Sequence, residues 1–176
     1  MATALFDRVI FGPVHSRRLG LSLGVNLLPL EGKLCSFNCI YCECGWNPER
    51  PMRPRFNTRE EVATALRAKL QEMTAAGTPP DVITFAGNGE PTMHPDFEAI
   101  IGDTIALRDE LCPSAKISVL SNATMIGREG VRRALLRVDN NILKLDSAFD
   151  RTVQLIDQPR GRYSVAEPVE RMKRFE

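Results

Sequence analysis

Apolar residues recur along the chain with two different periods, and each period predicts an element. Leu21–Leu28 (LSLGVNLL) alternates and predicts a strand. Thr58 and Glu61 form a capping-box pair; Val62, Leu66, Leu70 and Met73 then fall on one helical face until Gly77 stops the helix. Asp81–Ala86 (DVITFA) is a short apolar run behind two prolines and predicts a buried strand. Pro95, with Asp96 and Glu98 beside it, suits a first helical turn. Phe97, Ile101, Ile105 and Leu111 line that helix, and Pro113 ends it. Lys116–Leu120 (KISVL) predicts the next strand, Arg128–Val138 a helix, Ile142–Asp146 (ILKLD) a strand and Asp150–Asp157 a helix. A last helix starts near Pro168 and is apolar at Val169, Met172 and Phe175.

Strand and helix thus alternate four times. Such an order implies parallel pairing with right-handed crossovers, so the expected fold class is α/β, a parallel sheet of about four strand–helix units. The chain reaches Glu176 in or just after a helix with no strand behind it. A parallel strand wants neighbours on both sides. The expectation is therefore a single core domain over residues 1–176, incomplete at its C-terminal end, with residues 1–20 as an N-terminal extension. The alternative is a small complete domain whose last helix covers a sheet edge.

Length and composition narrow the classes. The 176 residues correspond to roughly one domain. Hydrophobic residues make up 43% and charged residues 26%, which is globular composition. The longest charge-free stretch is Leu19–Leu30, 12 residues, against the roughly 20 a membrane helix needs. Asp7 and Arg8 interrupt any secretory pattern at the start, so the expected setting is the cytoplasm, with no membrane partner. The net charge of +1 excludes a strongly basic coat for nucleic acid. Local patches stay open: arginines number 18 against 5 lysines, and Arg50, Arg53, Arg55 and Arg59 crowd one region, as do Arg17 and Arg18. Guanidinium forks suit phosphate, which admits an RNA or nucleotide substrate; a solvated charged loop is the plainer reading.

The cysteines carry the chemistry. Five occur, and four fall within Cys35–Cys44. Where thiols stay reduced, such clusters hold metal rather than disulfides. Cys35, Cys39 and Cys42 have the spacing C-x3-C-x2-C on the loop after the first strand of the β/α series. In β/α barrels the chemistry collects on such loops. Three thiolates from one loop cap three corners of a four-iron cluster and leave the fourth iron open to a ligand. The alternative is a closed zinc site with Cys44 as fourth ligand, although structural zinc more often pairs two separated C-x2-C units. Cys44 otherwise reads as a bystander, and Cys112 as core.

Lys33–Cys44 (KLCSFNCIYCEC) resembles the cluster loop of radical S-adenosylmethionine (radical SAM) enzymes, whose signature is C-x3-C-x-aromatic-C, with Tyr41 at the aromatic position. The resemblance implies a partial β/α barrel of six strand–helix units, of which this chain offers about four. It implies a [4Fe-4S] cluster on Cys35, Cys39 and Cys42, S-adenosyl-L-methionine at the open iron, and Tyr41 beside the adenine. Phe85–Pro91 (FAGNGEP) resembles the family's GGEP motif, with Asn88 in place of the first glycine. By that resemblance Gly87, Asn88, Gly89 and Glu90 border the amino group of the methionine moiety. Ser121 and Asn122 follow the third strand of the series and Asp146 ends the fourth. These short polar groups suit the cofactor's ribose and carboxylate, or equally cap turns. Lys144 can point to either face. FGPVHSRRLG followed by LGVNLLP resembles a branch related to wyosine-type tRNA-guanosine synthetases.

The implied activity is reductive cleavage of S-adenosylmethionine to methionine and a 5′-deoxyadenosyl radical that takes hydrogen from a substrate, an oxidoreductase- or transferase-type enzyme. A one-electron donor such as flavodoxin or ferredoxin is an expected partner, and tRNA is one admitted substrate. The alternative is a non-catalytic zinc or iron–sulfur module.

Overall fold

The computed structural model describes residues 4–49 and 55–175. Arg50 and Arg53 fall outside them. The elements are β1 (Ile10–Ser16), β2 (Gly20–Val25), α1 (Arg59–Ala75), β3 (Val82–Phe85), α2 (Phe97–Leu111), β4 (Lys116–Ser121), α3 (Glu129–Leu135), β5 (Asn140–Leu143), α4 (Asp150–Ile156) and α5 (Ala166–Met172). The five strands form one open sheet in chain order, β2 to β5 parallel and β1 antiparallel to β2. The expected partial α/β barrel is the observed architecture.

Alternation sorts the sheet into two faces. Leu23, Ile83 and Ile117 are register partners, as are Val25, Phe85 and Val119, and all six are buried. Against them pack Val62, Leu66, Leu70 and Met73 of α1, Phe97, Ile100 and Ile101 of α2, and Val131, Ala134 and Leu135 of α3. The opposite face carries small and polar residues: Ser22, Gly24, Thr84 and Ser118. Ser22 and Thr84 share a buried hydroxyl–hydroxyl hydrogen bond of 2.8 Å, and Asn140 donates to Ser118 at 2.9 Å.

α1 starts as its sequence predicts, with Thr58 and Glu61 capping each other. Arg59 meets Asp103 and Arg67 meets Glu110 through forked hydrogen bonds between α1 and α2, and Arg133 of α3 meets Glu98 of α2 in the same way. Arg55 pairs with Glu61. Part of the arginine excess therefore goes into interhelix forks, each worth little singly because it is exposed.

Several boundaries differ from the sequence expectation, and β2 runs over Gly20–Val25 rather than Leu21–Leu28. Ile10–Ser16, expected only within an extension, is an exposed edge strand. Its register slips between Phe11 and Val14, where Pro13 has no N–H to offer a ladder. β5 begins and ends earlier than Ile142–Asp146, because pairing with Ser118–Ser121 draws in Asn140 and Asn141. Asp146 therefore stands past the strand end. The α3 helix is shorter than Arg128–Val138. Among the described residues no helix is long and apolar enough to cross a membrane.

The hydroxyl pair gives a stability test. Thr84→Val strands the Ser22 hydroxyl and should cost about 1–3 kcal/mol in urea unfolding; adding Ser22→Ala should recover most of it.

Candidate active site

Between β2 and α1 the chain runs through residues 26–58, and the thiols sit there. Asn47, almost fully buried, staples the cysteine segment: its Oδ1 accepts from Cys35 N at 2.8 Å, and its Nδ2 donates to Phe37 O at 3.1 Å and to Asn38 Oδ1 at 2.7 Å. Turns close the far end, Cys42 N donating to Cys39 O at 3.1 Å and Gly45 N to Cys42 O at 3.0 Å. Lys33, buried, reaches over that turn and donates to Gly45 O at 2.7 Å.

The turn after β3 lies under this segment. Leu34 N donates to Asn88 O at 2.8 Å, and Glu90 N to Leu34 O at 3.1 Å. The approach requires glycine: a Cβ on Gly89 would stand 1.8 Å from Leu34 O, and its φ is +138°. Gly87, φ +130°, lies against Asn26, whose Oδ1 accepts from Asn88 N at 3.1 Å. The Asn88 side chain is fully buried, donating to Phe6 O and Pro29 O at 2.9 Å each and accepting from Phe6 N. Glu90 also points inward. Its carboxylate accepts from Thr92 N and Oγ1, from Ser121 Oγ at 2.8 Å and from Asn122 N at 2.7 Å. Burial pushes that carboxyl above the ordinary glutamate value, and the hydrogen bonds pull it back. Glu90 therefore ties the β3 turn to the end of β4, and what this turn offers a ligand is backbone.

Asn122 faces the thiols. Its Nδ2 donates to Cys35 Sγ at 3.5 Å and to Ser36 Oγ at 2.8 Å, and Ser36 Oγ meets Thr124 Oγ1 at 2.7 Å. From the fourth strand end, Lys144 N donates to Ser121 O at 2.8 Å. The Lys144 ammonium pairs with Asp157 and lies 3.0 Å from Asp146. The Tyr41 hydroxyl donates to Asp146 and, at 3.1 Å, to Asp157. The segment after α4 then pairs with the cysteine loop: Asn38 N donates to Asp157 O at 3.0 Å, Ile40 N to Ile156 O at 2.9 Å, and Arg160 N to Ser36 O at 2.9 Å.

All four strand ends thus converge on one loop, as the alternation of elements predicts. Cys35, Cys39 and Cys42 are free thiols. Burial pushes Cys35 up to about 11 and raises Cys39, whereas the neighbouring Cys44 thiol, and then Lys33, hold Cys42 below the usual range. Cys44 donates to Gly87 O at 3.4 Å and is itself raised by Cys42. Cys112 is buried in the core, as expected. Lys33, Asn47 and Asp157 carry no motif signal. Their partners are set by folding, and only the proximity of Lys33 and Asn47 to the thiols hints at a role.

Among the described residues no three His, Cys, Asp or Glu side chains stand together as ligands of a single ion. The donor set suits a cluster instead: three thiols from one loop, a buried ammonium beside them, and an amide N–H aimed at sulfur, the elements that stabilise iron-bound thiolates. A cavity of about 280 Å3 adjoins the loop, lined by Ser36, Phe37, Thr124, Met125, Arg162 and Tyr163 among others. A wider groove of about 580 Å3 between α1 and α2 contains neither thiols nor the glycine turn.

Fold and site together define an α/β partial-barrel protein with four free thiols on the loop after its first parallel strand. The model of the Radical SAM superfamily matches residues 32–175, and the chain belongs to that superfamily. It is 34% identical over 152 residues to a Brachyspira hyodysenteriae protein named GTPase Obg, covering 85% of this chain and 21% of that one. It is 34% identical over 154 residues to a UPF0026 protein of Helicobacter pylori, covering 88% of this chain and 47% of the relative. The chain thus spans half or less of the length of these curated relatives. A structure of TYW1 with a lysine-pyruvate adduct bound aligns with TM-score 0.55 at 18% identity, over 84% of this chain and 49% of that one. A radical SAM methyltransferase from Sphaerobacter thermophilus aligns with TM-score 0.59 at 18% identity, over 88% and 43%. At that identity the two alignments show the shared fold. Radical SAM enzymes bind a [4Fe-4S] cluster and S-adenosylmethionine.

Three variants probe the geometry. Lys144→Met leaves Asp157, whose side chain is 2% exposed, without its ammonium and should cost about 3 kcal/mol in urea unfolding. Gly89→Ala should abolish anaerobic iron uptake. Gly161→Ala, whose Cβ meets nothing within 4 Å, should leave it at the wild-type level.

Proposed function

We propose that this chain carries the catalytic core of a radical SAM enzyme, with Cys35, Cys39 and Cys42 as the ligands of a [4Fe-4S] cluster. The observation that carries the reading is the thiol loop bound on both sides, to Asn88 and Glu90 through Leu34 and to residues 156–160 through Ser36–Ile40. The bound cluster would supply one electron that splits S-adenosylmethionine into methionine and a 5′-deoxyadenosyl radical, which removes a hydrogen atom from the substrate.

The residues divide the remaining work. The backbone of Gly87–Gly89 borders the methionine amino group, since a carbonyl suits an ammonium and the Asn88 side chain is committed elsewhere. Glu90 is a positioning residue that holds Ser121 and Asn122. Asn122 is directed at Cys35 and at the cavity edge. Tyr41 is held by Asp146 and Asp157, which fixes its ring for stacking on adenine. Asp146 then acts through Tyr41 and Lys144 as well as at the strand end.

A one-electron donor such as flavodoxin or ferredoxin finds exposed Ile40, Tyr41 and Trp46 on the cysteine loop. Exposed Arg160 and Arg162 flank the same loop and its cavity, which favours a phosphate-bearing substrate and makes tRNA the first to test. Binding that weakens steeply with salt marks RNA. The setting is the cytoplasm, where thiols stay reduced.

Anaerobic reconstitution should load about four irons per chain, as the cubane requires. With dithionite and S-adenosylmethionine the protein should form 5′-deoxyadenosine. Alanine at Cys35, Cys39 or Cys42 should lower that yield at least a hundredfold and bleach the cluster absorbance, whereas Cys44→Ala should keep both. Bound zinc that is lost in Cys44→Ala would overturn the assignment in favour of a closed four-thiolate site.

A further inference from the structure

Lys33 is 4% exposed, and its ammonium donates to Gly45 O. A buried charge is costly unless it is paired. The described lysine ion pairs belong to Lys69, Lys144 and Lys173. Lys33 is in none of them, and its one described hydrogen bond goes to a neutral carbonyl. Gly45 closes the turn that begins at Cys42, so the ammonium sits inside the loop that carries the thiols.

We propose that Lys33 is the fixed counter-charge of the cluster, placed in the loop to favour its one-electron reduced state. The inference rests on the cluster assigned above to Cys35, Cys39 and Cys42. One-electron reduction adds one negative charge to the cluster. A neighbouring cation stabilises that state more than the oxidised one, and burial keeps the effect from being screened by salt. Lys33 touches no substrate in this scheme; it acts through the thiolates and through Gly45, and so is a positioning and tuning residue.

The test is an anaerobic redox titration of reconstituted wild type, Lys33→Met and Lys33→Arg, with iron counted in each. At a fixed applied potential the reduced fraction in Lys33→Met should fall about tenfold, equivalent to 59 mV for one electron. Lys33→Arg should stay near wild type, and the difference should persist at high salt. Iron uptake by Lys33→Arg but not by Lys33→Met supports the same role at the stage of assembly. The proposal is overturned if Lys33→Met titrates with wild type, if Lys33→Arg falls with it, or if neither variant takes up iron, which would leave Lys33 as a cap on the Gly45 turn. A wild type that takes up no iron overturns the cluster assignment itself.

Discussion

A loop without helix or strand ladders can hold three thiols in register only if its backbone groups are satisfied by rigid neighbours. This constraint organises the upper end of the molecule. Leu34 gives both its N–H and its carbonyl to the β3 turn. Asn38, Ile40 and Ser36 exchange hydrogen bonds with residues 156–160. Asn57 closes the segment from the other end, donating to Asn26 O and Leu28 O at 2.9 Å each, and its own carbonyl meets His94 Nε2 at 2.8 Å. His94, one of two histidines, is thereby a structural partner rather than a ligand. The thiol loop is held in place by the strand ends and by residues 156–160 as well as by its own turns and Asn47.

The price of that arrangement is paid in residue identity. Gly89 must be glycine because Leu34 O occupies the space of a Cβ, and Gly87 because Asn26 does. Asn26 and Asn88 are buried for the same reason. An amide supplies donors and acceptors together, and the Asn88 side chain uses both, donating to Phe6 O and Pro29 O and accepting from Phe6 N, while its backbone N–H donates to Asn26 Oδ1. The departure from the motif's first glycine at position 88 thus reflects a side chain directed down into the protein. Its partner Phe6 precedes the edge strand β1 and stacks on Phe11 at 3.7 Å between ring centroids, so the first strand and the site share one anchor.

Much of this fold was legible in the chain because the signals were local. Capping at Thr58, the faces of α1 and α2, and the apolar runs of β3 and β4 each lie within one element. The thiol spacing and the glycine turn were legible for the same reason. What escaped was set by partners distant in sequence. β1 lacks alternation because it is an exposed edge, and Pro13 conceals it further. β5 is defined by what β4 offers to pair with, which shifts it toward the polar Asn140 and Asn141. The inward turn of Glu90 depends on donors 31 and 32 residues away, and the tether on Tyr41 on carboxylates 105 and 116 away. No periodicity carries such information.

The two lysines nearest the thiols show how differently one residue type can be used. Lys144 meets two carboxylates and lies 5.0 Å from the centre of the Phe37 ring and 5.5 Å from that of Tyr41. Its charge is already matched, and it serves to join the β5 end to the cysteine loop. Lys33 has no such match among the described residues and reaches over the turn at Cys42–Gly45. An ammonium kept out of water without a carboxylate is unfavourable in an empty loop and favourable beside anionic sulfur. Among the described residues the loop thus has one lysine matched by carboxylates near Tyr41 and another that meets a carbonyl at the Cys42 turn, so only the second has a charge left to offer an anionic ligand.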